Sequence, residues 1–262
     1  MNLELDGKTA FVSGSNKGSG EVIAQTLAFE GATVIFHSNE ETTISDIAKS
    51  IGNCHWVCGN LATDEGAASV IAQTRAAVTN VDILVNNYGT AGAGKWGKSS
   101  TEDWLDMYQK NVLSATRLID GFSPQMKQHS WGRIIQLGTI GSHQPNSIMP
   151  HYYAAKGALA TLGVSLTKEL SNTGITVNTV SPGLIHTEEV EAGYRMRAKK
   201  KGWGDDWNTI VENIVATDFP NPTGRLATRQ EIADLVVFLC SPKAAYINGQ
   251  NIRIDGGAVR YV

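Results

Sequence analysis

Cysteine is scarce in this chain. Cys54, Cys58 and Cys240 are the only three among 262 residues, with no CxxC pair and no histidine cluster beside them. An odd, sparse set of this kind excludes a disulfide framework and reads as buried thiols in a reducing compartment. No metal site is expected. Long apolar runs are also missing: none approaches the roughly 20 residues that a membrane span requires. The opening MNLELDGKTA has no basic region followed by an apolar run, so it does not read as a signal peptide. Positive charge is not in excess, with a net charge of −3 and a pI of about 6.1. That argues against a polyanion-binding surface, so neither nucleic acid nor membrane is an expected partner. Repeats, low-complexity tracts and linkers are absent as well. With 42% hydrophobic residues, the chain is long enough for one large α/β core. The expectation is a single domain over 1–262, located in the cytoplasm.

What is present is alternation. Strand-like apolar runs recur at 9–14, 32–37, 54–59, 81–87, 132–138, 174–183 and 250–257. Helix-like stretches separate most of them: Gly20–Glu30, Thr42–Ile51, Glu65–Thr79, Trp104–Asp120, Tyr152–Ser171 and Arg229–Cys240. This order predicts βαβ units and a parallel sheet. Continuously apolar strands fit a sheet covered on both faces. Ser38 with Glu41, and Ser99 with Glu102, have capping-box spacing. Residues 184–224 break the alternation. This charged excursion carries Lys199, Lys200, Lys201, Trp203 and Trp207, and it is expected to contain helices and act as a substrate lid. The lysine run reads as a solvated helix face.

The first strand runs into SGSNKGSG and then a helix. Glycines at 14, 18 and 20 permit a tight turn and let backbone approach a pyrophosphate at a helix N-terminus. The position after the first strand of a βαβ pattern predicts a Rossmann-type, doubly wound fold that binds a dinucleotide. Gly14, Ser15, Asn16, Lys17, Gly18, Ser19 and Gly20 are the candidate phosphate-binding residues. The second strand ends in FHSNEE. NAD-binding folds place an acid at this point for the ribose 2′-OH, but here Ser38 and Asn39 occupy it. Without that acid a 2′-phosphate meets no repulsion, and Lys17 is available to it. NADP(H) is therefore expected over NAD(H).

Residues 150–156 read PHYYAAK. On a helix either Tyr152 or Tyr153 can share a face with Lys156. A tyrosine beside an ammonium has its phenolate favoured and can serve as a general acid or base on a carbonyl/alcohol pair. The pattern alone does not choose between the two.

Taken together, the chain from Lys8 to Gly257 resembles the short-chain dehydrogenase/reductase family, and is similar to its bacterial 3-oxoacyl-carrier-protein reductase-like members. The YxxxK motif matches at Tyr152 to Lys156, and the TGxxxGxG turn matches Ser13 to Gly20 with serine for threonine. NNAG matches Asn86-Asn87-Tyr88-Gly89 with tyrosine for alanine, the helix asparagine matches Asn111, and SPG matches Ser181-Pro182-Gly183. The family's catalytic hydroxyl lies thirteen positions before its tyrosine. Counted from Tyr152 this is Thr139, and counted from Tyr153 it is Ile140, which has no hydroxyl. The resemblance thus implies Tyr152 as acid/base and Thr139 as orienting hydroxyl, with Ser142 in reserve. It implies Lys156 on the nicotinamide ribose and Asn111 in a proton relay. It places Asn60, Leu61, Asn87, Tyr88, Gly89, Pro182, Gly183, Ile185 and Thr187 along the cofactor.

Trp96, Met149 and Tyr153 are candidates for the substrate walls, with Trp203 and Trp207 closing over them. Such walls favour a partly apolar or cyclic carbonyl compound. The family also implies a homotetramer built through the helices that contain Trp104–Asp120 and Tyr152–Ser171. The resulting expectation is an NADP(H)-dependent oxidoreductase that interconverts a ketone and a secondary alcohol. The alternatives are an NAD-dependent dehydrogenase of a cyclic alcohol or diol, and a non-catalytic dinucleotide sensor.

Overall fold

In a computed structural model, which describes residues 1–40 and 51–261, seven strands form one parallel sheet. They are β1 (Thr9–Val12), β2 (Thr33–Ser38), β3 (Cys54–Cys58), β4 (Ile83–Asn86), β5 (Gly132–Leu137), β6 (Ile175–Pro182) and β7 (Asn251–Ile254). The spatial order is β3-β2-β1-β4-β5-β6-β7. Chain order reverses between β1 and β4, which pair directly through Ala10↔Ile83, Phe11↔Leu84 and Val12↔Val85. The strand ends there open a crevice, the usual ligand position of such sheets. Each expected strand is present.

The helices are α1 (Gly18–Phe29), α2 (Asp64–Ala77), α3 (Thr101–Tyr108), α4 (Ser114–His129), α5 (Pro150–Glu169), α6 (Glu188–Lys201), α7 (Trp207–Asn213) and α8 (Arg229–Cys240). Alternate strand residues face opposite sides and fill two cores. Val12, Phe36, Val85 and Ile135 pack with Ile23 of α1 and Val236 of α8. Phe11, Ile35, Leu84 and Ile134 pack with Val70 of α2 and Phe122 of α4. Expectations at Glu41 and over 42–50 lie outside the described residues.

Three local expectations are corrected. The capping box falls on Ser100 and Asp103, one residue beyond the expected pair: Asp103 N–H donates to Ser100 Oγ at 3.2 Å, and Ser100 N–H to Asp103 Oδ2 at 2.8 Å. Both pairs have the required spacing, and the helix start at Thr101 selects the second. The helix expected over Trp104–Asp120 is interrupted by a π turn over Gln109–Leu113. It then runs past Pro124 to His129, because Phe122 and Met126 are buried in the core on that stretch, which outweighs the proline's lost hydrogen bond.

The 184–224 excursion does contain helices, α6 and α7. Trp203 and Trp207 pack there around a separate apolar cluster of Ala198, Ile210, Ile214 and Leu226. The tryptophans thus build the excursion itself. Lys199, Lys200 and Lys201 lie exposed in the last turn of α6, and Glu188, Glu189 and Glu191 lie in its first turn. Both ends complement the helix dipole, as a solvated face would.

Candidate active site

The site begins where β1 runs out. Ser13 Oγ donates to the Val85 carbonyl at 3.2 Å and accepts from the N–H groups of Asn87 at 3.0 Å and Tyr88 at 2.9 Å. This ties the glycine-rich turn to the end of β4. Asn87 Nδ2 donates to the carbonyls of Ser13 at 3.0 Å and Gly14 at 2.9 Å. Gly14 and Gly18 have φ of +62° and +63°, which glycine adopts without strain. Gly20 is required for a different reason: a Cβ there would sit 2.3 Å from Asn87 Nδ2 and 2.4 Å from the Gly14 carbonyl.

The next helix start fits a pyrophosphate. Thr63, Ser100, Thr187, Asp206 and Thr228 each cap a helix through a side-chain oxygen, whereas Lys17 at the start of α1 supplies none. The first-turn N–H groups of α1 are left for an anion, beside a turn narrowed to glycine. Replacing Gly20 with Ala should therefore cost about 2–3 kcal/mol of stability by overpacking. It should also weaken NADPH binding at least about tenfold, since the added methyl must push the turn out of shape. Urea unfolding and a cofactor titration would show this, and unchanged cofactor affinity would contradict it.

Sequence reasoning missed His37, the penultimate residue of β2. It is fully buried. Its Nδ1 accepts from the Gly14 N–H at 3.0 Å, and its Nε2–H donates to the Gly59 carbonyl at 2.9 Å. Burial pushes its pKa down to about 4, so the ring is neutral at physiological pH. The one available signal was a histidine inside the apolar run ATVIFH. Tyr88 meets this ring edge-on at 6.0 Å, and Asn39 Nδ2 donates to the Tyr88 hydroxyl at 3.4 Å. The departure from the family's alanine therefore points toward the end of β2, away from the substrate pocket.

Around that end Ser38 is buried, and its Oγ accepts from the Glu40 N–H. Asn60 turns back on its own loop, accepting from the Ala62 N–H. Leu61 does not serve the cofactor through its side chain, which is fully buried in the core. Its carbonyl accepts from Arg117. Lys17 is ion-paired with Glu189 of α6 at 2.8 Å, a partner the sequence does not reveal.

The second half of the site gathers at the ends of β4 and β5. Tyr152 and Lys156 lie one turn apart on α5, and the Lys156 Nζ is 6.0 Å from the Tyr152 ring centre. Thr139, just beyond β5, acts on the Tyr152 hydroxyl, where its side chain favours the phenolate. The structure thus brings together the two residues that the register argument paired. Ser142 turns back to donate to the Thr139 carbonyl at 2.7 Å, so Thr139 is the hydroxyl placed at Tyr152. Tyr153 is directed elsewhere. Its ring covers Gly141, where a Cβ would lie 2.0 Å from Tyr153 Cε1, and its hydroxyl accepts from Asn146 Nδ2 at 3.3 Å.

Lys156 is buried and donates to the Leu137 carbonyl at 2.7 Å. Burial pushes its pKa down to about 8 and that of Tyr152 up to about 12. This corrects the expectation of a phenol shifted toward neutrality, since here desolvation, reinforced by Tyr153, outweighs the opposing effect of Thr139. Asn111 sits in the π turn, fully enclosed, with Nδ2 donating to the carbonyls of Thr90 and Met107. Its Oδ1 has no protein partner. It faces Gly89, where a Cβ would lie 2.4 Å from Oδ1 and 3.4 Å from Lys156 Nζ. A π turn at a functional residue is a recurrent device.

Trp96 does not join this group. It is 68% exposed and meets Trp104 at a tilt with ring centres 5.7 Å apart, and Trp104 meets His151 edge-on. Its role is to hold the 89–100 loop down, together with the Met149 N–H bonded to the Gly94 carbonyl. On the far side, Gly183 must be glycine because Phe219 and Asp255 approach it. It helps line a cavity of about 210 Å³ with Arg225 and Asp255, which none of the four catalytic candidates borders. Ile185 bridges to Ala227, and Thr187 caps α6. Among the described residues no cluster of metal-ligating side chains forms, and no helix is long and apolar enough to cross a membrane.

A dinucleotide-binding turn, a Tyr–Lys pair and a hydroxyl at the strand ends of a doubly wound sheet define a nicotinamide-dependent oxidoreductase. The chain belongs to the short-chain dehydrogenase/reductase family, and residues 14–259 match the family described as enoyl-(acyl carrier protein) reductase. It is an enzyme acting on CH–OH groups with NAD(P) as acceptor. It is 34% identical over 256 residues to the 3-oxoacyl-[acyl-carrier-protein] reductase FabG of Escherichia coli (strain K12), covering 97% of this chain and 98% of that protein. Among solved structures it is similar to L-sorbose reductase from Gluconobacter frateurii, complexed with NADPH and L-sorbose. That match has a TM-score of 0.94 and 30% identity, and covers 100% of both chains. It is also similar to YwfH, an NADPH-dependent reductase involved in bacilysin biosynthesis, with a TM-score of 0.89 and 25% identity, covering 97% of this chain and 99% of that one.

Proposed function

We propose that the protein is an NADP(H)-dependent ketoreductase in which Tyr152 is the general acid and base. The observation that carries this is the Tyr152–Lys156 pair one turn apart on one helix, with Lys156 Nζ 6.0 Å from the ring centre and the Thr139 side chain acting on the Tyr152 hydroxyl. The bound nicotinamide supplies or accepts the hydride at the carbonyl carbon. Tyr152 gives its phenolic proton to the oxygen that gains charge, and Thr139 orients that oxygen. Lys156 holds its ammonium between Leu137 and the Asn111–Gly89 corner, where it can bind a ribose hydroxyl. Asn111 keeps one oxygen free on the same side, which suits a relay returning the proton to Tyr152. Gly14 to Gly20 and the first turn of α1 hold the phosphates.

The substrate side favours a small hydroxylated ketone. Trp203 and Trp207, expected to help close the pocket, pack within the excursion, and the side chains set against Tyr152 carry polar groups: Thr139, Tyr153 and Lys156. The similarity to a reductase bound to L-sorbose agrees with this class. Assembly as a homotetramer through α3, α4 and α5 is supported by the exposed Leu105 and Tyr108 of α3 and Val164 of α5. A panel of ketones followed at the nicotinamide absorbance tests the reading. Polyhydroxy ketones should be turned over with NADPH, with higher kcat/KM than an apolar cyclic ketone. The reverse preference would refute the substrate class, and no turnover of any carbonyl would refute the enzyme reading.

A further inference from the structure

The end of β2 is neutral. Ser38, Asn39, Tyr88 and the uncharged His37 surround it, so a 2′-phosphate there would be neither repelled nor neutralised by them. The cation supplied by the glycine-rich turn is Lys17, which in this structure is paired with Glu189 at 2.8 Å. Glu189 belongs to the first turn of α6, so the ion pair spans from the phosphate-binding turn to the excursion.

We propose that Glu189 sets the enzyme's cofactor preference by competing with the adenosine 2′-phosphate for Lys17. This rests on the reading of the chain as a binder of NADP(H). The pair is weak because both side chains are open to solvent, 70% and 60% exposed. Lysine carries a compact charge on a flexible four-carbon stem, so it can change partners. A phosphate monoester holds about −1.5 to −2 charges near pH 7 against the single charge of a carboxylate. Giving up Lys17 costs Glu189 little, because the N-terminus of α6 also stabilises its carboxylate; the Glu189 pKa is lowered by backbone N–H as well as by Lys17. While Glu189 competes for Lys17, the advantage of NADPH over NADH is reduced. Without Glu189 the lysine is free for the 2′-phosphate, and NADPH gains.

Binding titrations test this without catalysis, using nicotinamide fluorescence for NADPH and NADH and competition by 2′,5′-ADP and 5′-AMP. Glu189→Gln keeps the shape and removes the charge. It should tighten NADPH and 2′,5′-ADP by roughly two- to fivefold, the factor matching a surface ion pair, and leave NADH and 5′-AMP unchanged. Lys17→Ala should weaken the phosphorylated ligands alone, and adding Glu189→Gln to it should change nothing further. If Glu189→Gln leaves NADPH affinity unaltered, or shifts all four ligands equally, the competition is refuted and Glu189 is only a clasp on the excursion. If the wild-type protein binds neither dinucleotide, the functional reading itself fails.

Discussion

Tyr152→Phe should lower kcat by about 10³-fold or more while leaving the NADPH dissociation constant within about twofold. A positioned acid contributes roughly 10²–10⁴ to a proton-coupled step, and the substitution removes that proton and nothing else of size. The ring stays, and the glycine-rich turn, α1 and Lys156 are untouched. Fold stability should fall by about 1 kcal/mol or less, since the ring keeps its packing and Thr139 keeps its bond from the Gly141 N–H. The pH dependence carries a definite sign. Burial holds the phenol up to about 12, so the proton donor needed for reduction is in place throughout the neutral range. Oxidation needs the phenolate, so its rate should climb as pH rises above neutral while reduction stays flat and then falls. Single-turnover kinetics in both directions read this directly. Full activity of the phenylalanine variant would reassign the acid, and Tyr153→Phe is the control: it loses only the contact to Asn146 and should keep most of its turnover.

The parts legible in advance are those fixed by short stretches of chain. Spacing allowed either Tyr152 or Tyr153 to share a helix face with Lys156, and the family's thirteen-residue interval to a hydroxyl pointed to Tyr152 with Thr139. The glycine turn was legible for a similar reason, since its three glycines answer to local backbone geometry and one close approach. What could not be read depends on partners distant in sequence or on backbone geometry that leaves no residue pattern. Leu61 was a cofactor candidate by the family resemblance, but which face its side chain enters is decided by the packing of α2 and α4. Trp96 looked like a pocket wall, and its actual partner Trp104 lies across a turn. The π turn at Asn111 adds one residue to a helix without disturbing its apolar pattern. Lys17 was read toward a phosphate because Glu189, 172 positions later in the chain, gave no sign of reaching it.

His37 is the residue whose loss should most damage the fold around the cofactor. Its imidazole joins three segments at once: the end of β2, the Gly14 N–H and the Gly59 carbonyl. His37→Phe fills the space but leaves a buried donor and a buried acceptor unpaired, each costing about 1–3 kcal/mol. The expected loss is about 2–4 kcal/mol, or roughly 5–12 °C in Tm for a chain of this size. The same ring makes the wild-type protein acid-sensitive. An unfolded histidine titrates near 6.5 and the folded one near 4, so between these values the unfolded chain binds a proton that the folded chain refuses. Stability is complete above about pH 6.5 and declines as pH falls toward 4, by a total on the order of 3 kcal/mol from this group. His37→Gln separates the two effects. Its amide can accept from Gly14 and donate to Gly59, yet it has nothing to titrate. Urea midpoints at pH 7.5 and pH 5 should differ less for His37→Gln than for wild type, and an identical acid shift in both would place the sensitivity elsewhere. Because the folded ring stays neutral until about pH 4, the NADPH affinity of the folded protein should hold between pH 6.5 and 5 in both the wild type and the glutamine variant, and a loss over that range in the wild type alone would contradict the assignment.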